Sequence, residues 1–352
     1  MRKKFVTFVL VAFVILCVWA LWSTNKEVQN PYVPKISYHQ FLKSNILSPS
    51  EHFCKKSPFF TIIVTSYVGH VELRSAHRRA MPTDILKSMN ATRIFLLAKI
   101  PPTEKHLTQQ AIENEHSIYN DLLQGSFIEN YRNLTLKHLM GLKWVSNKCT
   151  PIYIVKVDDD IVFNLANTYK LLLSLGIQQN LLMGYMLNNT VPRRQKQNKW
   201  YVSEVEFTGS MYPSYLLGWY YITTSTVAKK ISDEAIYHQF FWIDDIFITG
   251  ILRKIVGIEL KQVPKEFWLE YYELLECCIT DMIKKSIQCP YTVGPNGGRV
   301  NLIIEFNKII EQCNQWRNCS TKAIKPLKDT CIVGKERRIF SDGQGAVQLI
   351  KS

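Results

Sequence analysis

The chain turns on the stretch Pro151 to Asn164, PIYIVKVDDDIVFN, a short apolar run broken only by Lys156 and ending in three consecutive carboxylates, Asp158, Asp159 and Asp160. A proline-opened run of Ile, Tyr and Val has the length and β-branched composition of a buried strand. In an open α/β sheet, ligands collect beyond the carboxyl ends of such strands. Three adjacent carboxylates repel one another, and their pKa values rise unless a cation relieves them. Their hard oxygens suit Mg²⁺ or Mn²⁺, metals that also hold the diphosphate of a nucleotide. The plain alternative is a solvated acidic turn in which Asp159 or Asp160 merely caps the next element.

Strand and helix signals alternate around that stretch. Phe59 to Thr65 and Thr92 to Ala98 read as strands, and Glu72 to Lys87 reads as a helix interrupted near Pro82. The spacing predicts a helix over Leu107 to Leu123, with Leu107, Ala111, Ile112, Ile118, Tyr119, Leu122 and Leu123 on one face. Leu134 to Val145 repeats such a face with Leu136, Leu139, Met140 and Trp144. A helix near Asn167 to Leu175 and a strand at Leu181 to Met186 come after the acidic tip. Interleaved strands and helices predict an α/β fold, a mostly parallel sheet covered on both faces, over residues 58–265.

The N-terminus constrains where that domain resides. Phe5 to Trp22 is 18 residues long with Thr7 as its only polar member. As a helix it would cover about 27 Å, enough to cross a bilayer core. Arg2, Lys3 and Lys4 precede it, so residues 1–4 are expected in the cytosol and everything after Trp22 outside it. The run exceeds a usual signal-peptide core and lacks a small-x-small cleavage site, which favours an uncleaved signal anchor over a secretory signal. Residues 23–57, with Pro31, Pro34 and Pro49 and no sustained period, read as a stem.

Cysteine usage agrees with a non-cytosolic compartment. With Cys17 in the apolar segment, Cys54, Cys149, Cys277, Cys278, Cys289, Cys313, Cys319 and Cys331 remain, an even set expected to form disulfides of undetermined connectivity. Sequons start at Asn90, Asn133, Asn188 and Asn318. A net charge of +14 suggests nucleic acid, a membrane surface or an acidic ligand. The expected topology, the dispersed charge and the lack of a recognition motif exclude nucleic acid. The densest basic cluster, Arg193, Arg194, Lys196 and Lys199, reads as a solvated loop.

Other blocks carry chemistry. Arg74, Arg78 and Arg79 in RSAHRRAM come after the first strand, where guanidinium groups can fork onto a diphosphate or pair with uracil carbonyls, or simply form an exposed basic helix. Asp244 and Asp245 open IDDIFITGILRKI, where two acids either cap a helix or place a general base at its start.

The run from Glu115 to Val145, EHSIYNDLLQGSFIENYRNLTLKHLMGLKWV, followed by KVDDDIVFN, resembles glycosyltransferase family 31, the β-1,3-galactosyltransferase and β-1,3-N-acetylglucosaminyltransferase family. The likeness covers roughly Phe59 to Glu259. It implies a type II Golgi membrane enzyme of GT-A fold, with a UDP-sugar donor and a glycan acceptor on glycoprotein or glycolipid. It also implies Mn²⁺ held at Asp158 and Asp160, and inverting β-1,3 transfer of a hexose, galactose first and N-acetylglucosamine as the alternative. Asp245 matches the base of the family's Glu-Asp-Val motif, with Asp244 in place of Glu. Arg74 and Arg78 match its paired arginines, and Lys199, Trp200 and Tyr201 its Lys-Trp-Tyr block. Tyr212, Pro213 and Tyr215 match its Tyr-Pro-x-Tyr block. By resemblance, Arg74, Arg78, Asp158, Asp159, Lys199, Trp200 and Gly218 would bind the nucleotide sugar, and Tyr212, Tyr215 and Trp219 the acceptor.

The chain also departs from the pattern. Ala80 and Met81 replace a Thr-Trp pair, which implies an altered pocket wall. In the Cys-Ser-Gly-x-Gly-Tyr block only Gly218 and Tyr221 match, and Trp219 and Tyr220 are expected to narrow the donor pocket. Gly294 stands where many relatives have a metal-binding His. The metal would then be held by one protein group fewer plus water, or Asn296 would substitute, or the chain would be a catalytically silent glycan-binding or helper protein. The cysteine-rich residues 266–352 form an extension of unassigned role.

Overall fold

The apolar runs pair into a mixed sheet. A computed structural model describes Gln40 and residues 45–54, 57–264, 267–268, 271–314, 319–320, 327–331, 340–341 and 344–345. The anchor segment 5–22, most of the stem, Cys17 and Asn318 lie outside the described residues. Among the described residues, no helix is long and apolar enough to cross a membrane.

The elements that position the site run in the order β1 (Asn45–Leu47), β2 (Phe60–Thr65), α1 (Val71–Ala80), α2 (Thr83–Ser88), β3 (Ala91–Lys99), α3 (Gln109–Tyr119), β4 (Leu122–Ile128) and α4 (Leu134–Trp144). Next come β5 (Tyr153–Asp158), β6 (Ile161–Phe163), α5 (Leu165–Leu175), β7 (Leu182–Leu187), β8 (Tyr215–Thr224), α6 (Ser225–Glu234) and β9 (Lys261–Gln262). The sheet order is β1-β4-β3-β2-β5-β8-β7-β9. Strands β4, β3, β2 and β5 are parallel to one another, whereas β8 runs antiparallel to both β5 and β7. The acid-tipped strand is thus central, as its largely apolar run, interrupted only by Lys156, requires of a strand covered on both faces. Alternate residues of β2 sort accordingly: Ile63 enters one core with Ile94, Leu139 and Phe247, and Ile62 and Val64 enter the other with Phe95 and Val155.

Two local events depart from the periodicity. The helix expected over Leu107 to Leu123 is shorter: Thr108 caps α3 through its side chain, and Asn120, at φ 50°, ends it. A left-handed Asn stops a helix, which frees Leu122 and Leu123 to enter β4 beside β3. Ile118 and Tyr119 are therefore exposed instead of facing the core. In β8, Gly184 pairs with Tyr221 and Met186 with Leu216, so Leu217, Gly218, Trp219 and Tyr220 oppose Tyr185 alone. Such a bulge re-aims side chains. It turns Tyr220 into the core beside Phe163 and Val155, where its hydroxyl meets Thr168 Oγ1 at 3.0 Å, so Tyr220 does not line the cavity and does not narrow the donor pocket as expected.

The extension packs onto this sheet system through α7 (Tyr272–Lys285), β10 (Val293–Pro295) and α8 (Val300–Gln312). Strand β10 pairs with β6 just beyond the acidic tip, setting Gly294 opposite Val162. Phe306 and Ile303 of α8 share a core with Ala76 of α1 and Val162 of β6. The eight cysteines pair as Cys54–Cys149, Cys277–Cys331, Cys278–Cys289 and Cys313–Cys319.

Candidate active site

A cavity of about 230 Å³ opens at the carboxyl ends of β2 and β5, with Thr65 and Asp158 on its floor. Asp158 ends β5, and its carboxylate receives the Lys156 ammonium at 2.5 Å. Lys156 is itself buried and also donates to the Gly218 carbonyl, which ties β5 to β8. Burial pushes the Asp158 carboxyl up to about 7; Lys156 works against this, while Asp160 and Asp244 add to it. Its neighbours diverge. Asp159 is buried and its Oδ2 is taken by His70 Nδ1 at 2.9 Å and by the Tyr67 N–H at 3.3 Å. Asp160 is exposed and its carbonyl accepts from the Asn296 N–H at 2.9 Å. Of the three, Asp158 alone lines the cavity. Asp159 instead fastens the loop after β2 to the tip of β5, a different part from the nucleotide contact expected of it.

Asp244 and Asp245 reach the same cavity from the start of the π-helical segment Ile246–Leu252. Their surroundings separate them. For Asp244, burial alone would raise the pKa, but the hydrogen bond from His138 Nδ1 at 3.1 Å and the nearby Lys156 charge hold it below the usual carboxylate value. Asp245 uses Oδ1 to cap the Ile246 N–H at 2.8 Å. Burial and the Asp244 charge push its carboxyl up to about 7. Gly218 lies directly beneath it, where an added Cβ would come within 3.3 Å of Asp245 Cβ. An anchored anion beside a carboxyl that exchanges its proton near neutrality is the pairing expected of a general base and its support.

Aromatic side chains make up much of the rest of the wall. Tyr212, Tyr215, Trp200 and Trp219 line the cavity as the sequence suggests, and Tyr131 and Trp242 join them. Trp219 stacks on Trp268 with ring centroids 5.7 Å apart. Polar atoms of the lining, among them Thr65 Oγ1, Tyr212 Oη and Trp242 Nε1, are buried without a hydrogen-bond partner among the described residues. Orphaned donors on an aromatic surface match a ligand with apolar ring faces and hydroxyl edges.

Other expected site residues lie elsewhere. Arg74 is fully buried and forks onto Glu115 at 2.7 and 2.8 Å, while also donating to the carbonyls of Tyr67 and Val68. Arg78 bridges Glu115 and Asp121, with its guanidinium 3.9 Å from the Tyr119 ring centroid. Neither lines the cavity, because acids on α3 and before β4 claim both forks. Met81 is a core residue whose carbonyl accepts from Arg93, not a pocket wall. Lys199 sets its ammonium 4.2 Å from the Tyr131 ring centroid, outside the lining. Conversely, the basic loop is not merely solvated: Arg193 lines the cavity, and Arg194 braces the carbonyls of Val202 and Phe207. Among the sequons, Asn90 and Asn188 stand exposed and Asn133 is half-buried.

Sequence reasoning missed Thr65, Tyr131, Trp242, Arg193 and His138. The signal for Trp242 was its place three residues before Asp245; His138 carried none.

Divalent metal fits the donor chemistry in part. Asp158 is an acid raised by burial, with Asp160 and Asp244 adding to it, and a hard dication would relieve it. Among the described residues, no group of three or more His, Cys, Asp or Glu converges on one point. The side-chain oxygen of Asn296 accepts from the Gly298 N–H at 2.9 Å, within a turn. The protein would therefore supply two carboxylates and leave the remaining positions to substrate and water.

The family model described as Galactosyltransferase matches residues 73–264. Human β-1,3-galactosyltransferase 2 is 30% identical over 233 residues, covering 65% of this chain and 55% of that protein. Mouse β-1,3-galactosyltransferase 5 is 29% identical over 241 residues, covering 68% of this chain and 76% of that one. The chain thus spans about half the length of the human relative. A solved glycosyltransferase, GlyE of Streptococcus pneumoniae TIGR4, aligns over 80% of this chain and 66% of that one, with 10% identity and a TM-score of 0.35, too low to argue from. With the family model covering more than half of its length, the chain belongs to the galactosyltransferase family.

Proposed function

We propose that the chain is an inverting hexosyltransferase that moves galactose from a UDP-sugar to a glycan hydroxyl in β-1,3 linkage. The observation that carries this reading is Asp245, a carboxyl of pKa about 7 standing over Gly218 in the same aromatic-walled cavity as Asp158. As the acceptor oxygen attacks the anomeric carbon, its proton passes to Asp245, and the bond from that carbon to the UDP oxygen breaks on the opposite face. The aromatic wall would orient the acceptor, and Thr65 and Asp158 would face the donor. Mn²⁺ held at Asp158 and Asp160 would offset charge on the leaving diphosphate. The β-1,3 linkage and the galactose donor are taken from the relatives' names. The GT-A fold, Golgi lumen and single-pass type II anchor rest on the resemblance and on the apolar run Phe5 to Trp22.

The test is Asp245→Asn in the full-length chain, with UDP affinity and sugar transfer measured with and without Mn²⁺. Asn retains shape and the cap on Ile246 but not basicity. UDP affinity is expected to survive while turnover falls by about 10² to 10⁴. Turnover near wild type removes Asp245 as base. A wild-type chain that binds neither UDP nor Mn²⁺ returns the protein to the class of silent glycan-binding relatives.

A further inference from the structure

Behind the two carboxylates, a buried chain of side chains runs from the middle of the sheet to the π-helical segment. His138, on α4, is inaccessible to solvent. Its Nε2 lies 2.5 Å from Tyr221 Oη on β8, and its Nδ1 lies 3.1 Å from Asp244 Oδ2. The His138 and Tyr221 rings pack at 5.5 Å between centroids. One turn earlier on α4, Thr135 Oγ1 donates to the Phe241 carbonyl at 2.9 Å, so the helix grips the segment before Asp244 at a second point.

The hydrogen-bond inventory fixes the direction of the chain. An ionised Asp244 can only accept, so the single proton of a neutral imidazole sits on Nδ1, pointing at Asp244, and Nε2 accepts from the Tyr221 hydroxyl. Burial, opposed by Asp244, keeps the imidazole neutral. Both ring nitrogens are then satisfied, so His138 has nothing left to offer a substrate. Asp244 is held through one oxygen and, being adjacent in sequence, fixes the turn from which Asp245 is aimed over Gly218.

We infer that His138 is a positioning residue for sugar transfer: with Tyr221 it clamps Asp244 as a fixed anion and thereby sets the aim of Asp245. This rests on the reading of the cavity as the transfer site. The clamp depends on an N–H at the Nδ1 position and not on imidazole as such. Asn at 138 places an amide N–H near that point, whereas Leu fills the volume with no donor and leaves Asp244 and Tyr221 unpaired.

The experiment compares His138→Leu, His138→Asn and Tyr221→Phe in the full-length chain. It measures kcat, KM for donor and acceptor, UDP affinity, thermal midpoint and, by ¹⁵N NMR, the His138 tautomer in wild type. Misaiming a catalytic group by about 1 Å can cost 10²-fold. His138→Leu is therefore expected to lower kcat by about 10- to 100-fold with UDP affinity within about twofold of wild type. His138→Asn should recover most of that loss, Tyr221→Phe should fall between, and the NMR signature should be the neutral Nδ1–H form. Should His138→Leu fail to fold, the other two variants and the tautomer decide. The inference is overturned if His138→Leu turns over like wild type, if Leu and Asn lose activity equally, or if the ring is doubly protonated or carries its proton on Nε2. An active wild type with an indifferent His138→Leu sinks this inference alone; a wild type that transfers no sugar sinks the reading of the site as well.

Discussion

At Gly218 a missing methyl group decides where a carboxylate can stand. The bulge in β8 turns this residue beneath Asp245, and the 3.3 Å approach of a hypothetical Cβ means that alanine would push the Asp245 side chain aside by a few tenths of an ångström. That close approach also desolvates Asp245, and function there opposes stability. With its carboxyl raised to about 7, the folded protein binds a proton that the unfolded chain releases near pH 4. Between those values the folded state is favoured by acid, and above pH 7 the ionised carboxylate costs stability. Asp245→Asn in metal-free protein is therefore expected to raise the thermal midpoint by a few degrees at pH 8, with the gap closing towards pH 4. Differential scanning calorimetry across that range checks it. A variant that melts below wild type at pH 8 would show that Asp245 is not held in an unfavourable ionised state.

Helix α1 shows what charge pattern alone conceals. RSAHRRAM looks like a nucleotide-gripping surface because its acidic partners, Glu115 and Asp121, lie 37 to 43 residues further on in sequence. No local spacing announces them. Once α3 and β4 bring those acids across, Arg74 becomes the tie that holds the Tyr67–Val68 turn, and His77 holds the Asp159 carbonyl at 2.8 Å. Arg74→Met should thus cost about 3–5 kcal/mol by leaving Glu115 buried and half-paired. UDP affinity, measured well below the melting point, should change little. Urea unfolding beside UDP titration distinguishes this from a nucleotide contact, which predicts lost affinity at unchanged stability. Elsewhere the sequence was readable where period and composition agreed: β2, β3, β5, α4 and α5 all lie where their runs place them. It was not readable at β4, whose Leu122 and Leu123 also fit a helical face until Asn120 breaks it, nor at β8, whose bulge scrambles the alternation. The acids Asp158 and Asp245 stood out as motifs, but His138 and Thr65 enter the site from elements whose patterns record only burial.

Across the whole molecule, the boundary drawn near residue 265 separates two stretches that share a core. Composition changes there, because cysteines gather beyond it, yet β10 completes a ladder with β6 directly after the acidic tip. Helix α8 covers the face of α1 opposite its arginine network, burying Ala76 and Val162 beneath Leu302, Ile303 and Phe306. Removing the extension would strip apolar surface from α1 and unpair β6, and so loosen both supports of Asp159. Truncation after residue 265 is expected to abolish cooperative unfolding and UDP binding together. A milder variant separates covalent bracing from packing: Cys278→Ser with Cys289→Ser opens a crosslink of sequence separation 11 and keeps every helix. By loop-closure entropy that crosslink contributes about 2.5–3 kcal/mol. The double variant should therefore unfold at lower urea while still binding UDP. A truncated chain that melts cooperatively near the wild-type midpoint and binds UDP would make the extension an appendage. Loss of UDP binding in the double cysteine variant at unchanged secondary structure would instead place the disulfide, and not the packed helices, in control of the acidic tip.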